Sequence, residues 1–185
     1  WAGGAGGAEI RVIVGWGFWG TDLGRRARFL VEAAISDARL QVYVVNAQFI
    51  NVAARDADYA HLLQSAPFMF ADGAGMALAA RLTGVALANN VNGTDLFPRL
   101  CAAAAAASAP VAFLGARQGV ARQCATLMER HYPGLKVVWV EDGYLSSAAE
   151  AAKLSDLNTS GARLLFFPKG VPAQEQWMAA HAAHV

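Results

Sequence analysis

A carboxylate set between an apolar run and two glycines is the residue of this chain best mounted for acid–base chemistry. Asp72 follows Phe68-Met69-Phe70-Ala71 and precedes Gly73 and Gly75, the pattern of a strand that ends in a sharp turn into a helix. A general base needs such a rigid, partly desolvated mounting. The same position also suits a helix cap, and the local pattern leaves both roles open. Gly115 to Gly119 lies between a strand pattern and a helix pattern. Its backbone N–H groups could hold a diphosphate at the helix start, or form an ordinary connection between strand and helix. Pro172, with Gln174 and Glu175 in the first turn, reads as a helix start whose polar side chains face the same rim of strand ends.

Three other groups carry less weight. Gly15-Trp16-Gly17-Phe18-Trp19-Gly20 matches the glycine spacing of a dinucleotide site, which would make the chain an NAD(P)-dependent oxidoreductase. Against this, the next strand ends in Asn46 rather than an acidic residue that could hold a ribose, and aromatics fill the variable positions. Asp56-Ala57-Asp58 has the paired carboxylates of a metal site, but it falls between two helix patterns, where capping is the better reading. His181 and His184 are spaced to share a metal yet lack further ligands nearby in sequence, so surface histidines are expected.

The elements that must position these residues follow from hydrophobic periodicity. Strands are expected at Arg11 to Val14, Leu40 to Val45, Phe68 to Ala71, Val111 to Leu114, Leu135 to Val140 and Leu164 to Phe167. Helices are expected at Thr21 to Ser36, Ala47 to Arg55, Tyr59 to Ser65, Gly75 to Leu82, Leu96 to Ala107, Val120 to His131, Ser147 to Ser160 and Pro172 to Ala183. This alternation predicts an α/β fold, Rossmann-like, with a mainly parallel sheet flanked by helices. In such sheets ligands bind outside the carboxyl ends of the strands. If the sheet is parallel, one rim collects Asn46, Asp72, Gly115, Gly143, Tyr144 and the segment 169–175. The alanine run 102–107 follows Leu96, Phe97 and Leu100 and is expected to be a closely packed helix.

Composition sets the outer bounds. With 185 residues, 56% of them apolar and 16% charged, the chain suits a single domain over residues 10–185, behind a flexible Gly- and Ala-rich segment, residues 1–9. A net charge of +1 offers no broad basic field, so no nucleic-acid partner is expected. Cys101 and Cys124 show neither disulfide-scaffold nor zinc-cage spacing, which fits a reducing, cytoplasmic compartment. No segment reads as a signal peptide or as a membrane-spanning helix.

Taken together, Val45-Asn46-Ala47-Gln48, Asp72-Gly73-Ala74-Gly75, Asn92-Gly93-Thr94-Asp95-Leu96-Phe97-Pro98, Phe113-Leu114-Gly115, Tyr132-Pro133-Gly134-Leu135, Gly143-Tyr144 and Gly170-Val171-Pro172-Ala173-Gln174-Glu175-Gln176-Trp177 resemble the WecG/TagA/CpsF family of bacterial glycosyltransferases, from about Ile10 to Trp177. The resemblance implies an inverting hexosyltransferase of surface polysaccharide synthesis, such as teichoic acid, enterobacterial common antigen or exopolysaccharide. Its donor would be a UDP-sugar carrying N-acetylmannosamine, its uronic acid or glucose, and its acceptor a sugar on undecaprenyl diphosphate. By the same resemblance Asp72 is the base, and Gln174 orients or stabilises the reacting sugars. Asn46, Gly73, Asn92, Thr94, Asp95 and Glu175 are expected in the substrate pocket, with Gly115, Gly143 and Tyr144 on the nucleotide side. No cofactor or metal is required by these motifs, and the membrane surface, at the inner face of the cell membrane, is the implied place of work.

Some positions depart from the family pattern. Val44 replaces a common threonine, Asn90 a common arginine and Asp142 a frequent histidine, and Pro168-Lys169 replaces a small and an apolar residue. Lys169 is therefore a candidate for the missing positive charge, and a catalytically silent sugar-nucleotide-binding protein is a further reading. Arg25, Arg26 and Arg28 form a basic cluster that would either touch anionic lipid or lie on a solvated helix face. The chain ends soon after Trp177, whereas family members usually continue into a segment that docks on the membrane and covers the site. A cut chain or a short member is expected, with self-association through the surface left open.

Overall fold

The computed structural model describes residues 9–13, 16–20, 22–36, 38–85, 87, 92–144 and 147–181. The opening Trp1 to Gly7, together with Val14, Gly15, Asn90 and His184, lies outside the described residues.

Strand β1 (Glu9–Ile13) pairs antiparallel with β2 (Trp16–Gly20), Glu9 opposite Gly20 and Ile13 opposite Trp16. The segment carrying most of the glycine pattern is thus itself a strand, with Phe18 fully buried. This corrects the dinucleotide reading. That fingerprint must turn directly from a strand into a helix N-terminus, whereas residues 16–20 are hydrogen-bonded back along β1.

The chain then alternates as expected: α1 (Leu23–Ile35), β3 (Val42–Val45), α2 (Ala47–Ala53), α3 (Ala57–Gln64), β4 (Phe68–Ala71), α4 (Gly73–Leu82), α5 (Gly93–Ala106), β5 (Val111–Leu114), α6 (Val120–His131), β6 (Val137–Glu141), α7 (Ser147–Thr159), β7 (Leu164–Phe166) and α8 (Ala173–His181). Polar residues start several helices by accepting first-turn N–H bonds: Asp22 for α1, Asn46 for α2, Asp56 for α3 and Asn92 for α5. Asp56 is therefore a cap, as preferred over the metal reading.

The fold is α/β, with parallel strands flanked by helices, but the ladders are separate among the described residues. β3 pairs with β4, and β5 lies between β6 and β7, all parallel. The period of two along the β3–β4 pair divides the core. Tyr43, Val45, Met69 and Ala71 join Phe49, Tyr59, Leu63 and Met76 on one face. Phe70 joins Leu30, Leu96, Leu100, Phe113 and Leu135 on the other, with Val42 and Val44 packed against them.

Helix α5 links the two parallel ladders. Phe97 packs edge-on to Phe113 of β5 and Phe166 of β7, with centroids 5.9 and 5.0 Å away. Cys101 and Ala104 are fully buried while Ala102, Ala106 and Ala107 are exposed, so the alanine run packs closely along one face only. The arginine cluster is not one surface. Arg25 and Arg28 are exposed, but Arg26 is buried with its guanidinium 4.8 Å from the Phe70 ring centroid, because about 100° of helix rotation per residue turns it inward.

Candidate active site

Asp72 stands where β4 gives way to α4. Its backbone N–H donates to the Val45 carbonyl at 2.8 Å, extending the β3–β4 ladder by one bond and fixing the residue beside the end of β3. It occupies the cap position of α4, yet its side chain makes no capping bond. Gly73 explains this locally: at φ 85° it turns the backbone through a region closed to most side chains and swings the Asp72 carboxylate off the helix start.

The carboxylate points instead to the start of α5. Gly93 N–H donates to Asp72 Oδ2 at 3.5 Å, at the long limit of a hydrogen bond, so among the described residues most of the accepting capacity of Asp72 is unspent. Burial raises the Asp72 carboxyl above its ordinary value; the Gly93 N–H opposes the rise and the charge of Asp95 adds to it. Such a shift makes a carboxylate a stronger base once ionised.

Around this turn the structure gathers several expected residues. Asn46 follows β3 directly beside Asp72, and its amide oxygen accepts from Gln48 N–H at 2.9 Å. An added Cβ on Gly75 would stand 2.8 Å from the Ala47 Cβ, so the starts of α2 and α4 touch. Asn92 caps α5 by accepting from Thr94 N–H at 3.2 Å, and Asp95 lies in the same first turn. Thr94 and Asp95 also line an open depression of about 400 Å³ with Pro98, Arg99, Ala102 and Tyr132. Of the helix starts gathered here, those of α2 and α5 are capped by Asn46 and Asn92, while that of α4 has no side-chain cap.

Gly115 and Gly143 come together in a second cluster, after β5 and β6. Gly115, at φ 145°, lies so close to β7's following loop that a Cβ would stand 2.4 Å from the Pro168 carbonyl oxygen. Only glycine fits there. A Cβ on Gly143 would lie 2.9 Å from the Gly115 Cα. Gly115 N–H donates to the Glu141 carbonyl, Ala116 N–H to the Pro168 carbonyl and Gly119 N–H to Asp142 Oδ1 at 3.0 Å. The turn uses these three donors on its own chain. Beside it, Tyr144 is 77% exposed.

The third group sits at the start of α8. Gln174 is half-buried; its Oε1 accepts from Lys169 N–H at 3.2 Å and its Nε2 donates to Glu175 Oε1 at 2.9 Å. Glu175 is fully buried and also accepts from the Tyr59 hydroxyl at 2.9 Å. Burial pushes the Glu175 carboxyl above its ordinary value, against the hydrogen bonds from Tyr59 and Gln174. Glu175 has no exposed surface with which to meet a ligand directly. Among the described residues no hydrogen bond joins Gln174 to the Asp72 turn. The Lys169 Nζ lies 6.0 Å from the Phe167 ring centroid. His181 stacks on Trp177 at 4.4 Å. Among the described residues no three metal-ligating side chains gather in one place.

Sequence reasoning missed Tyr59, which reads as one more core position on α3. No local signal marks it, since its partner lies 116 residues away in the chain.

The model of the glycosyl transferase WecG/TagA/CpsF family matches residues 11–185. A Bacillus subtilis (strain 168) protein named N-acetylglucosaminyldiphosphoundecaprenol N-acetyl-beta-D-mannosaminyltransferase is 27% identical over 137 residues, 74% of this chain and 53% of its own length. A protein of the same name from Bacillus spizizenii (strain ATCC 23059 / NRRL B-14472 / W23) is 31% identical over 117 residues, 63% of this chain and 45% of its own. The chain thus spans about half the length of these curated relatives. With the family match running from β1 through α8 and past it, the chain belongs to the WecG/TagA/CpsF family of glycosyl transferases.

Proposed function

We propose that this chain provides the catalytic α/β part of a glycosyltransferase that moves a sugar from a UDP-sugar to a sugar carried on polyprenyl diphosphate. The observation that carries the reading is the Asp72 carboxylate, which makes no capping bond, is fixed at a strand end, raised by burial and, among the described residues, left with one long hydrogen bond. In the transfer step an acceptor hydroxyl gives its proton to Asp72 as its oxygen attacks the anomeric carbon. The bond from that carbon to the diphosphate breaks, its electron pair leaves on UDP, and the anomeric centre inverts. The helix starts beside Asp72 supply N–H dipoles for the departing charge.

The names of the Bacillus relatives favour N-acetylmannosamine as the sugar and undecaprenyl-diphosphate-linked N-acetylglucosamine as the acceptor. An acceptor anchored in lipid places the work at a membrane surface, and no helix among the described residues is long and apolar enough to cross a membrane. The test is UDP release from UDP-N-acetylmannosamine, its uronic acid and UDP-glucose, each with and without lipid-diphosphate-linked N-acetylglucosamine. Acceptor-dependent release with one donor supports the reading. UDP binding with no release from any donor would replace it with the silent binding protein.

A further inference from the structure

We infer that Tyr59 and Glu175 form a buried relay that fixes the side-chain amide of Gln174 in one orientation, presenting an N–H donor, so that Tyr59 is a positioning residue for sugar transfer. The inference rests on the transferase reading for its consequence, but its geometry stands alone. A glutamine amide has two nearly isosteric ends, and only its partners decide which faces where. Here both partners are unambiguous. The backbone N–H of Lys169 can only donate, so it must meet Oε1. The Glu175 carboxylate, when ionised, can only accept, so it then must meet Nε2. Its other oxygen accepts from the Tyr59 hydroxyl.

The second N–H of Gln174 has no partner among the described residues, and the side chain is half-buried rather than sealed. The amide therefore offers a ligand a donor, suited to a diphosphate or sugar oxygen. The relay requires Glu175 to be ionised. A protonated Glu175 would have a donor of its own to place and would no longer define the amide. Tyr59 and Glu175 are each almost wholly enclosed, at 1% and 0% exposure, so water does not replace a lost partner. Among the described residues the titratable and charged groups facing Glu175 are Tyr59 on α3 and Tyr43 on β3, whose own hydroxyl donates to Gln41 Oε1 at 2.7 Å.

The experiment is a double-mutant cycle with Tyr59→Phe and Gln174→Ala in this chain, read by kcat and KM for acceptor-dependent UDP release across pH. Tyr59→Phe alone is expected to lower kcat roughly tenfold with the donor KM within about twofold, and to move the acid limb of the profile upward, since the ionised Glu175 loses a donor. In the Gln174→Ala background the same change is expected to have no further effect on kcat. An equal loss in both backgrounds would overturn the relay and make Tyr59 only a packing residue. A second readout needs no turnover: the Gln174 side-chain amide protons in nitrogen-correlated spectra. Wild type is expected to show one shifted, slowly exchanging proton that becomes ordinary in Tyr59→Phe; an unchanged pair in the variant would also overturn the relay. An amide that responds in a chain with no transfer activity would keep the relay and sink the transferase reading instead.

Discussion

The β4–α4 turn and the β5–α6 turn have nearly the same ingredients and opposite uses. Each follows a strand buried at every position, and each enters its helix through glycine at positive φ, Gly73 in the first and Gly115 and Gly119 in the second. After β5 the N–H groups of Gly115, Ala116 and Gly119 are all bonded within the chain, the last of them to Asp142 beyond the end of β6. After β4 the acidic residue at the helix start caps nothing and extends toward α5. A glycine-rich strand end can thus spend its donors on its own fold. What separates the two is hydrogen-bonding capacity left unspent, because a group already satisfied by its own fold has little left to offer a ligand.

The comparison can be broken by substitution, starting where the effect is largest. Gly115→Ala forces a Cβ against the Pro168 carbonyl at a backbone angle closed to alanine. It is expected to cost about 3 kcal/mol or more, read as a lower denaturation midpoint. Gly73→Ala meets open space and suffers only the angle, so about 1–2 kcal/mol is expected. It should nevertheless depress transfer beyond what its stability loss explains, because Gly73 aims Asp72. Asp142→Ala removes the acceptor of the Gly119 N–H and is expected to cost about 1 kcal/mol, with kcat changed less than about threefold.

The smallest effect concerns pH and sharpens the contrast between spent and unspent carboxylates. The folded-state value of Asp72 is raised, so its ionisation opposes folding as pH rises through that value, and the penalty is absent below the unfolded value. Asp72→Asn is therefore expected to be as stable as wild type in acid and slightly more stable at neutral pH, in melting curves taken across that range. A variant less stable at neutral pH would show that the carboxylate supports the fold after all.

The same capacity argument marks what was legible in the sequence. β4, β5 and α6 have the bounds read from their patterns, since short apolar runs end at Asp72 and Gly115 and the α6 pattern begins after Gly119. β2 was not legible: Trp16–Gly20 reads as a glycine loop, and only pairing with β1 makes it a strand. The lack of a cap bond at Asp72 depends on the Gly73 backbone angle and on α5, neither visible locally. Arg26 looked like one of three surface cations until the α1 face and the Phe70 ring were placed. Local pattern yields elements and candidates; tertiary partners decide which candidates remain unspent.

The most direct test sets Asp72→Asn beside Asp142→Asn in one assay of acceptor-dependent UDP release. The account expects transfer to fall by about 10²- to 10⁴-fold in the first, as for loss of a general base, and to change little in the second. Comparable rates from the two variants, or an Asp72→Asn rate near wild type, would contradict the assignment of Asp72 as the base.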